Sequence, residues 1–442
     1  MKNVQKWSLV VALAGFLFGF DTVVISGAND PIRELWNTSS WFHGTFIMSM
    51  ALWGTVMGSL FGGKFIDNCG RKPILFFIGL LYLFSAIGSA LAWDPYSFSF
   101  FRFIGGIGVG ASSVAAPAYI SEISSSKNRG RLVALYQFNI VFGILLAFLS
   151  NYFLNGFSGT MDWRYMLGIE SIPAILYTIL VIGVPESPRW LAVKKGNMEE
   201  ASNVLSRLMD KNQVSHTIKS IQLEINSGTD ISSKSFFNKK FRFPIVLAFL
   251  LAMFNQLSGI NFILYYAPSI LENAGFATSD SLLSSVSIGG VNLLFTFVGL
   301  YFIDRAGRRR LMYLGSLGYI ISLTLVAYGF YSDASPFFNL GFILLFIASH
   351  AVGQGSVIWV FISEIFPNSV RGVGQSWGTG THWVFAALIT LVGPVLLDSF
   401  PQGYQIFLFF AVCMVFQLLF THFMMPETKG KSLEELKSLL EK

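Results

Sequence analysis

Charge is what this sequence has least of. Asp, Glu, Lys and Arg make up 12% of its 442 residues, about half the share usual in soluble domains, while 53% are hydrophobic and the mean hydropathy is +0.59. That balance excludes a water-soluble globular protein and leaves an integral membrane protein. Cysteine is almost missing: Cys69 sits at a loop edge and Cys413 inside an apolar run, so no disulfide or thiolate framework is expected. There is no Ser/His/Asp set, no metal-ligand cluster and no Walker loop. An enzyme is therefore disfavoured, and neither a metal nor an organic cofactor is expected. The "GGIGVG" of 105–110 resembles a nucleotide-binding loop, but it lies inside an apolar run with no strand before it and reads as close helix packing. The net charge of +6 does not point to nucleic acid, because the basic residues collect at the edges of apolar runs.

Those apolar runs are what the chain has in quantity. A helix needs about 20 apolar residues to cross the hydrocarbon core. Windows of that kind fall at 8–28, 44–66, 74–92, 97–121, 133–154, 166–184, 243–271, 284–303, 310–330, 339–364, 376–398 and 404–425. The first could pass for a signal peptide, but it lacks a convincing cleavage site and continues past an acid, so it reads as a retained span. Lys64, Arg71 and Lys72 follow span 2, Lys127, Arg129 and Arg131 follow span 4, and Arg305 and Arg308 to Arg310 follow span 8. The opposite loops hold only Arg33 and Arg164, so both termini are expected to be cytoplasmic. The segment 189–242 is the one substantial polar piece. Its "NMEEASNVLSRLMD" and "SHTIKSIQLEIN" have helical periodicity and predict short cytoplasmic surface helices.

The halves repeat. "DNCGRK" (67–72) returns as "DRAGRR" (304–309), the Glu122 stretch "EISSSKNRGR" as "EIFPNSVRG" from Glu364, and "PES" (185–187) as "PET" (426–428). Six spans separate the copies, so the repeats are parallel, related by an axis along the membrane normal. The predicted fold is all-α: twelve transmembrane helices in two six-helix bundles, 1–188 and 243–425, with a cytoplasmic linker at 189–242 and a tail at 426–442. The repeated motifs lie at cytoplasmic span ends, where carboxylates and guanidiniums can bridge helices bidentately. Asp67, Arg71, Glu122, Arg129, Arg131, Glu186 and Arg189 in the first half, and Asp304, Arg308, Glu364, Arg371 and Glu427 in the second, form a candidate cytoplasmic gate. Arg clusters alone usually only set topology; matched acid and base in both halves favour the gate.

"GFDTVVISGA", the doubled "D-x-x-G-R-K/R", "RFIGGIGVG", "PESPRWL", "NQLSGINFILYYAP" and "PETKGKSLEE" together resemble the sugar porter family of the major facilitator superfamily, over residues 15 to 435. The resemblance implies alternating access to one central sugar site. Sugars present many hydroxyls, so a carrier needs neutral amides and aromatic faces. Span 7 offers Asn255, Gln256, Asn261, Tyr265 and Tyr266, with "LSG" able to loosen the helix around Gly259. Such a cluster would be costly facing lipid and should face a wet cavity; a single amide would read as interhelical glue. By resemblance Gln256, Asn261, Gln137 and Asn292 bind sugar hydroxyls, while Phe18, Trp359 and Trp383 line the site. Two positions depart from most relatives: Asn255, where a Gln is usual, and His382, where glucose carriers have Asn. His-Trp at 382–383 resembles fructose-preferring relatives.

Asp21, inside "FLFGFDTVVISGA", is an acid in a membrane run, where a charge is costly and usually faces a cavity or a partner. Arg102 of span 4 falls at similar depth. The pair reads either as a structural salt bridge or, by resemblance, as a coupling switch, since proton-coupled sugar porters carry this Asp and facilitative carriers an Asn. The leading expectation is a proton-coupled monosaccharide importer of the inner membrane, working as a monomer in the lipid bilayer, with the proton as coupling ion. The rival is a uniporter with a purely structural Asp21–Arg102 pair. A sugar sensor is disfavoured by the short stretch after span 12.

Overall fold

The computed structural model describes residues 2–124, 128–209, 211–227, 236–367 and 370–431, and no strand occurs among them. Eleven helices are long and apolar enough to cross a bilayer: Asn3–Trp36 (α1), Arg71–Leu91 (α3), Pro95–Ile123 (α4), Gly130–Leu154 (α5), Gly159–Ile182 (α6), Arg242–Tyr265 (α7), Thr278–Ala306 (α8), Arg308–Tyr331 (α9), Pro336–Ile365 (α10), Arg371–Ser399 (α11) and Tyr404–Phe423 (α12). Met50–Cys69 (α2) passes together with Ser40–Met48, from which it is bent by 41°. Each of the twelve expected windows lies on one of these helices, so the chain is an all-α, multi-pass membrane protein. Spans 7 and 10 are interrupted where the sequence placed glycine. Gly259 is left-handed (φ 86°) between Arg242–Leu257 and Ile260–Tyr265, and Gly353 separates Pro336–Val352 from Gln354–Ile365.

The helices gather into two compact units. Unit 1 comprises Met1–Thr22, Trp53–Ile144 and Arg164–Asp230; unit 2 comprises Val23–Leu52, Leu145–Trp163 and Ile231–Lys442. This division departs from the chain-order halves: the far ends of α1 and α5 and the start of span 2 join unit 2. Hydrogen bonds explain the case of α1. Within unit 2, Arg33 binds Asp398 of α11 at 2.5 and 3.1 Å, and Ser40 also bonds to that carboxylate. Asn29 donates to Ser269 at 3.2 Å, and Ser269 donates to Asp30 at 2.8 Å.

In unit 1 the glycines of "GGIGVG" seat α4 on α2. A Cβ on Gly110 would stand 2.3 Å from the Thr55 carbonyl oxygen, and Cβ atoms on Gly54 and Gly58 would stand 2.1 and 2.3 Å from carbonyls of α4. The run is therefore a helix-packing surface. Asp94 starts α4 through a capping box with Ser97, accepting from the backbone N–H groups of Tyr96 and Ser97 at 2.8 and 3.1 Å. Those bonds, that from Ser97 foremost, hold its carboxyl below the ordinary carboxylate value. The polar insert forms Pro188–Val193, Met198–Ser206 and Lys211–Ser227. Its Ala201, Val204, Leu205, Leu208, Val214 and Ile221 are buried in one cluster with Trp190, Tyr119 and Ile123. The short helices exist as expected, but their apolar stripe completes the unit 1 core, which is why so little apolar content suffices.

Candidate functional site

The repeated motifs build two cages of the same design, one in each unit. In unit 1, Arg71 grips Glu122 bidentately (2.9 and 3.0 Å), donates to the Ile66 carbonyl at 3.2 Å and pairs with Asp67 at 3.3 Å. In unit 2, Arg308 grips Glu364 (2.8 and 3.1 Å), donates to the Ile303 carbonyl at 3.0 Å and pairs with Asp304 at 3.1 Å. Glu186 accepts from the backbone N–H groups of Arg71 and Lys72, as Glu427 does from Arg308 and Arg309. These acids cap helix N-termini, where the exposed N–H groups favour an anion. The glycines between are fixed by the same contacts. Gly70 and Gly307 hold φ of 98° and 92°, and a Cβ on either would lie 2.4 or 2.6 Å from the capping carboxylate. Arg371 donates to the Phe366 carbonyl at 3.3 Å, while Arg131 and Arg189 are exposed. The side chain of Arg129 lies outside the described residues.

Unit 1 buries an ionic cluster. Asp21 and Arg102 are 1% and 2% exposed. One guanidinium nitrogen, Nη1, meets Asp21 Oδ1 at 2.5 Å, and Nη2 donates to the Asp21 backbone oxygen at 3.0 Å. The expected pair therefore forms, but it is not alone. Glu170, 1% exposed near the start of the apolar part of α6, lies within electrostatic range of both Asp21 and Arg102. Glu170 Oε1 has no hydrogen-bond partner among the described residues. The sequence reading missed Glu170, although an acid four residues into the apolar window 166–184 is the same signal that singled out Asp21. Phe18 and Gln137, also in unit 1, are half-buried on α1 and α5. Glycines bring these two helices together: a Cβ on Gly19 would lie 1.9 Å from the Ile140 carbonyl oxygen.

Unit 2 buries a neutral cluster. Asn255, Gln256, Asn261, Asn292, His382 and Trp383 are buried and Trp359 is half-buried. Gln256 Nε2 donates to Asn255 Oδ1 at 2.9 Å and lies 3.3 Å from both ring nitrogens of His382. The His382 ring stands 4.9 Å from the Trp359 ring and 4.8 Å from the Trp383 ring, both edge-to-face. Gln256 Oε1 is buried without a hydrogen-bond partner among the described residues. Tyr265 and Tyr266 are both buried, but the Tyr266 hydroxyl is engaged by the Thr390 carbonyl at 2.7 Å. Amides, an imidazole and indole faces suit an uncharged polyhydroxylated molecule, with rings for its C–H surface and amides for its hydroxyls.

Comparison with known proteins fits this chemistry. The family model described as "Sugar (and other) transporter" matches residues 7–440. The D-xylose-proton symporter of Escherichia coli K12 is 34% identical over 98% of this chain and 95% of its own length. The arabinose-proton symporter of Bacillus subtilis is 35% identical over 98% and 94%. Among solved structures, a partially occluded inward-open form of the xylose transporter XylE from E. coli superposes with a TM-score of 0.87 at 31% identity, covering 98% of this chain and all of that one. The proton:xylose symporter XylE bound to 6-bromo-6-deoxy-D-glucose gives 0.83 at 32% identity, over 99% of each chain. By sequence and by fold the chain belongs to the sugar transporter family of the major facilitator superfamily, a membrane transporter and not an enzyme.

Proposed function

We propose that this protein imports a monosaccharide together with a proton across a cytoplasmic (inner) membrane, by alternating access of the two six-helix halves, 1–188 and 243–425, with both termini cytoplasmic. It acts as a monomer and needs no cofactor beyond the coupling proton. The observation that carries the reading is the buried contact of Asp21 with Arg102: an acid in a membrane helix whose cation partner it could exchange for a proton is the part a coupling switch needs. The relatives named as xylose-proton and arabinose-proton symporters support it. Gln137, Asn255, Gln256, Asn261, Asn292 and His382 bind sugar hydroxyls, and Phe18, Tyr265, Trp359 and Trp383 line the site. Tyr266, whose hydroxyl is engaged, contributes its ring. The His-Trp pair at 382–383, similar to that of fructose-preferring relatives, makes fructose a candidate beside xylose and glucose. The Arg71 and Arg308 cages are the parts of a cytoplasmic gate.

The test is radiolabelled uptake into proteoliposomes with fructose, glucose, xylose, galactose and arabinose, with and without an inward proton gradient. The wild type is expected to accumulate one of these uphill only with the gradient, and Asp21→Asn to equilibrate it without accumulation. If both proteins equilibrate the sugar equally and ignore the gradient, the protein is a uniporter and the Asp21 pair is scaffolding.

A further inference from the structure

The amides of unit 2 do not end at Asn255. Its Nδ2 donates to Gln354 Oε1 of α10 at 3.4 Å, Gln354 Nε2 donates to Gln417 Oε1 of α12 at 2.9 Å, and Gln417 Nε2 donates to Ser316 Oγ of α9 at 2.8 Å. Ser316 in turn donates to the Met312 carbonyl at 2.7 Å. Gln256, Asn255, Gln354, Gln417 and Ser316 are each 2% exposed or less, so every link is sealed from water.

An amide can be turned end for end, and only its partners decide which way it points. Here every link runs in one direction: nitrogen to oxygen, from Gln256 outward to Ser316. Two backbone carbonyls, which can only accept, set that direction. Ser316 gives its single proton to Met312, which leaves Oγ an acceptor for Gln417. Gln354 Nε2 also approaches the Leu251 carbonyl at 3.5 Å, where an amide oxygen would be repelled. Turning any one amide would set oxygen against oxygen in a buried site, which costs more than a lost bond. The NH2 of Gln256 is thereby committed to Asn255 and His382, and its Oε1, which has no partner among the described residues, is left as an acceptor.

We infer that Gln354, Gln417 and Ser316 are positioning residues that fix the polarity of the sugar site: they make Gln256 present a bare carbonyl oxygen, so the sugar must donate a hydroxyl proton there. This rests on the reading of Gln256 as a sugar ligand.

The test uses monodeoxy and monofluoro analogues of whichever panel sugar the wild type transports best, as inhibitors of its uptake. Fluorine accepts weakly but cannot donate. At the hydroxyl facing Gln256, the wild type should reject the fluoro and the deoxy analogue alike, each by about tenfold. In Gln354→Met the chain loses both carbonyl anchors, that of Leu251 directly and that of Met312 through Gln417 and Ser316; Gln256 is then free to turn, and the fluoro analogue should recover to within about threefold of the parent sugar while the deoxy analogue does not. Gln417→Glu keeps an acceptor facing Gln354 and should keep the wild-type pattern. Gln354→Leu repeats the test should Gln354→Met not yield folded protein by size exclusion. An unchanged fluoro penalty in the Gln354 variant, or its loss in Gln417→Glu as well, overturns the inference. A separate Gln256→Leu control distinguishes the two levels: if that variant takes up the sugar with unaltered KM, the sugar-ligand reading itself fails and this inference with it.

Discussion

The two units bury polar groups by opposite means. Unit 1 places two acids near one guanidinium, so its cluster is ionic. Unit 2 places amides, an imidazole and a serine in a chain whose members change no charge when they exchange partners. A buried ion pair is sensitive to loss of one partner because the other is left charged in a medium that does not solvate it. A neutral amide chain loses only the difference between hydrogen bonds. The contrast sets an ionic cluster in one unit against a chain of neutral amides in the other. The cages show the reverse relation: Arg71 and Arg308 make the same contacts to within 0.2 Å in their two bidentate grips (2.9 and 3.0 Å against 2.8 and 3.1 Å), because the motif was repeated while the buried clusters diverged.

Substitutions should separate these features by size of effect. Arg102→Met leaves two carboxyls without their cation and is expected to cost about 3–5 kcal/mol, read as a lowered midpoint of thermal unfolding in detergent together with loss of accumulation. A midpoint close to wild type would mean the cluster does not hold a buried charge. Arg71→Met and Arg308→Met should each cost about 2 kcal/mol, from the loss of charge-assisted bonds, and by nearly equal amounts. Unequal thermal shifts would show that the cages are alike in form but not in load. Gln256→Leu is expected to raise KM about tenfold with the proton-to-sugar ratio unchanged. A changed ratio, measured by pH-electrode uptake beside labelled sugar, would join what the comparison separates. Smallest in binding is Glu170→Gln, which keeps the size of the side chain near Asp21 but removes its carboxyl. Sugar affinity by calorimetry should stay within about threefold while accumulation falls; equal accumulation would leave Asp21 and Arg102 as the whole switch.

Much of this was legible in the chain. Long apolar windows, charge at their ends and three matched motifs are one-dimensional signals, and the helices and cages follow them. Asp21 and Arg102 were legible because a charge in an apolar run is rare. Glu170 carried that signal more faintly, close enough to the window's start to pass for an interfacial residue. Gln354 and Gln417 carried none: one amide in an apolar helix reads as interhelical glue. The packing role of "GGIGVG" was readable from its setting, but its partner helix was not.

The sequence by itself determined the number and run of the membrane helices, because burial of backbone in hydrocarbon permits little else, and the repeat that makes the cages alike. Tertiary structure alone decided that the first helix divides its length between two units, that the polar insert closes a core, that a second acid stands near Asp21, and that three separate helices contribute amides to one directed chain that ends on a serine of a fourth. Hydropathy is a property each residue carries along the chain, whereas the direction of a hydrogen bond belongs to pairs, and only folding decides which pairs meet.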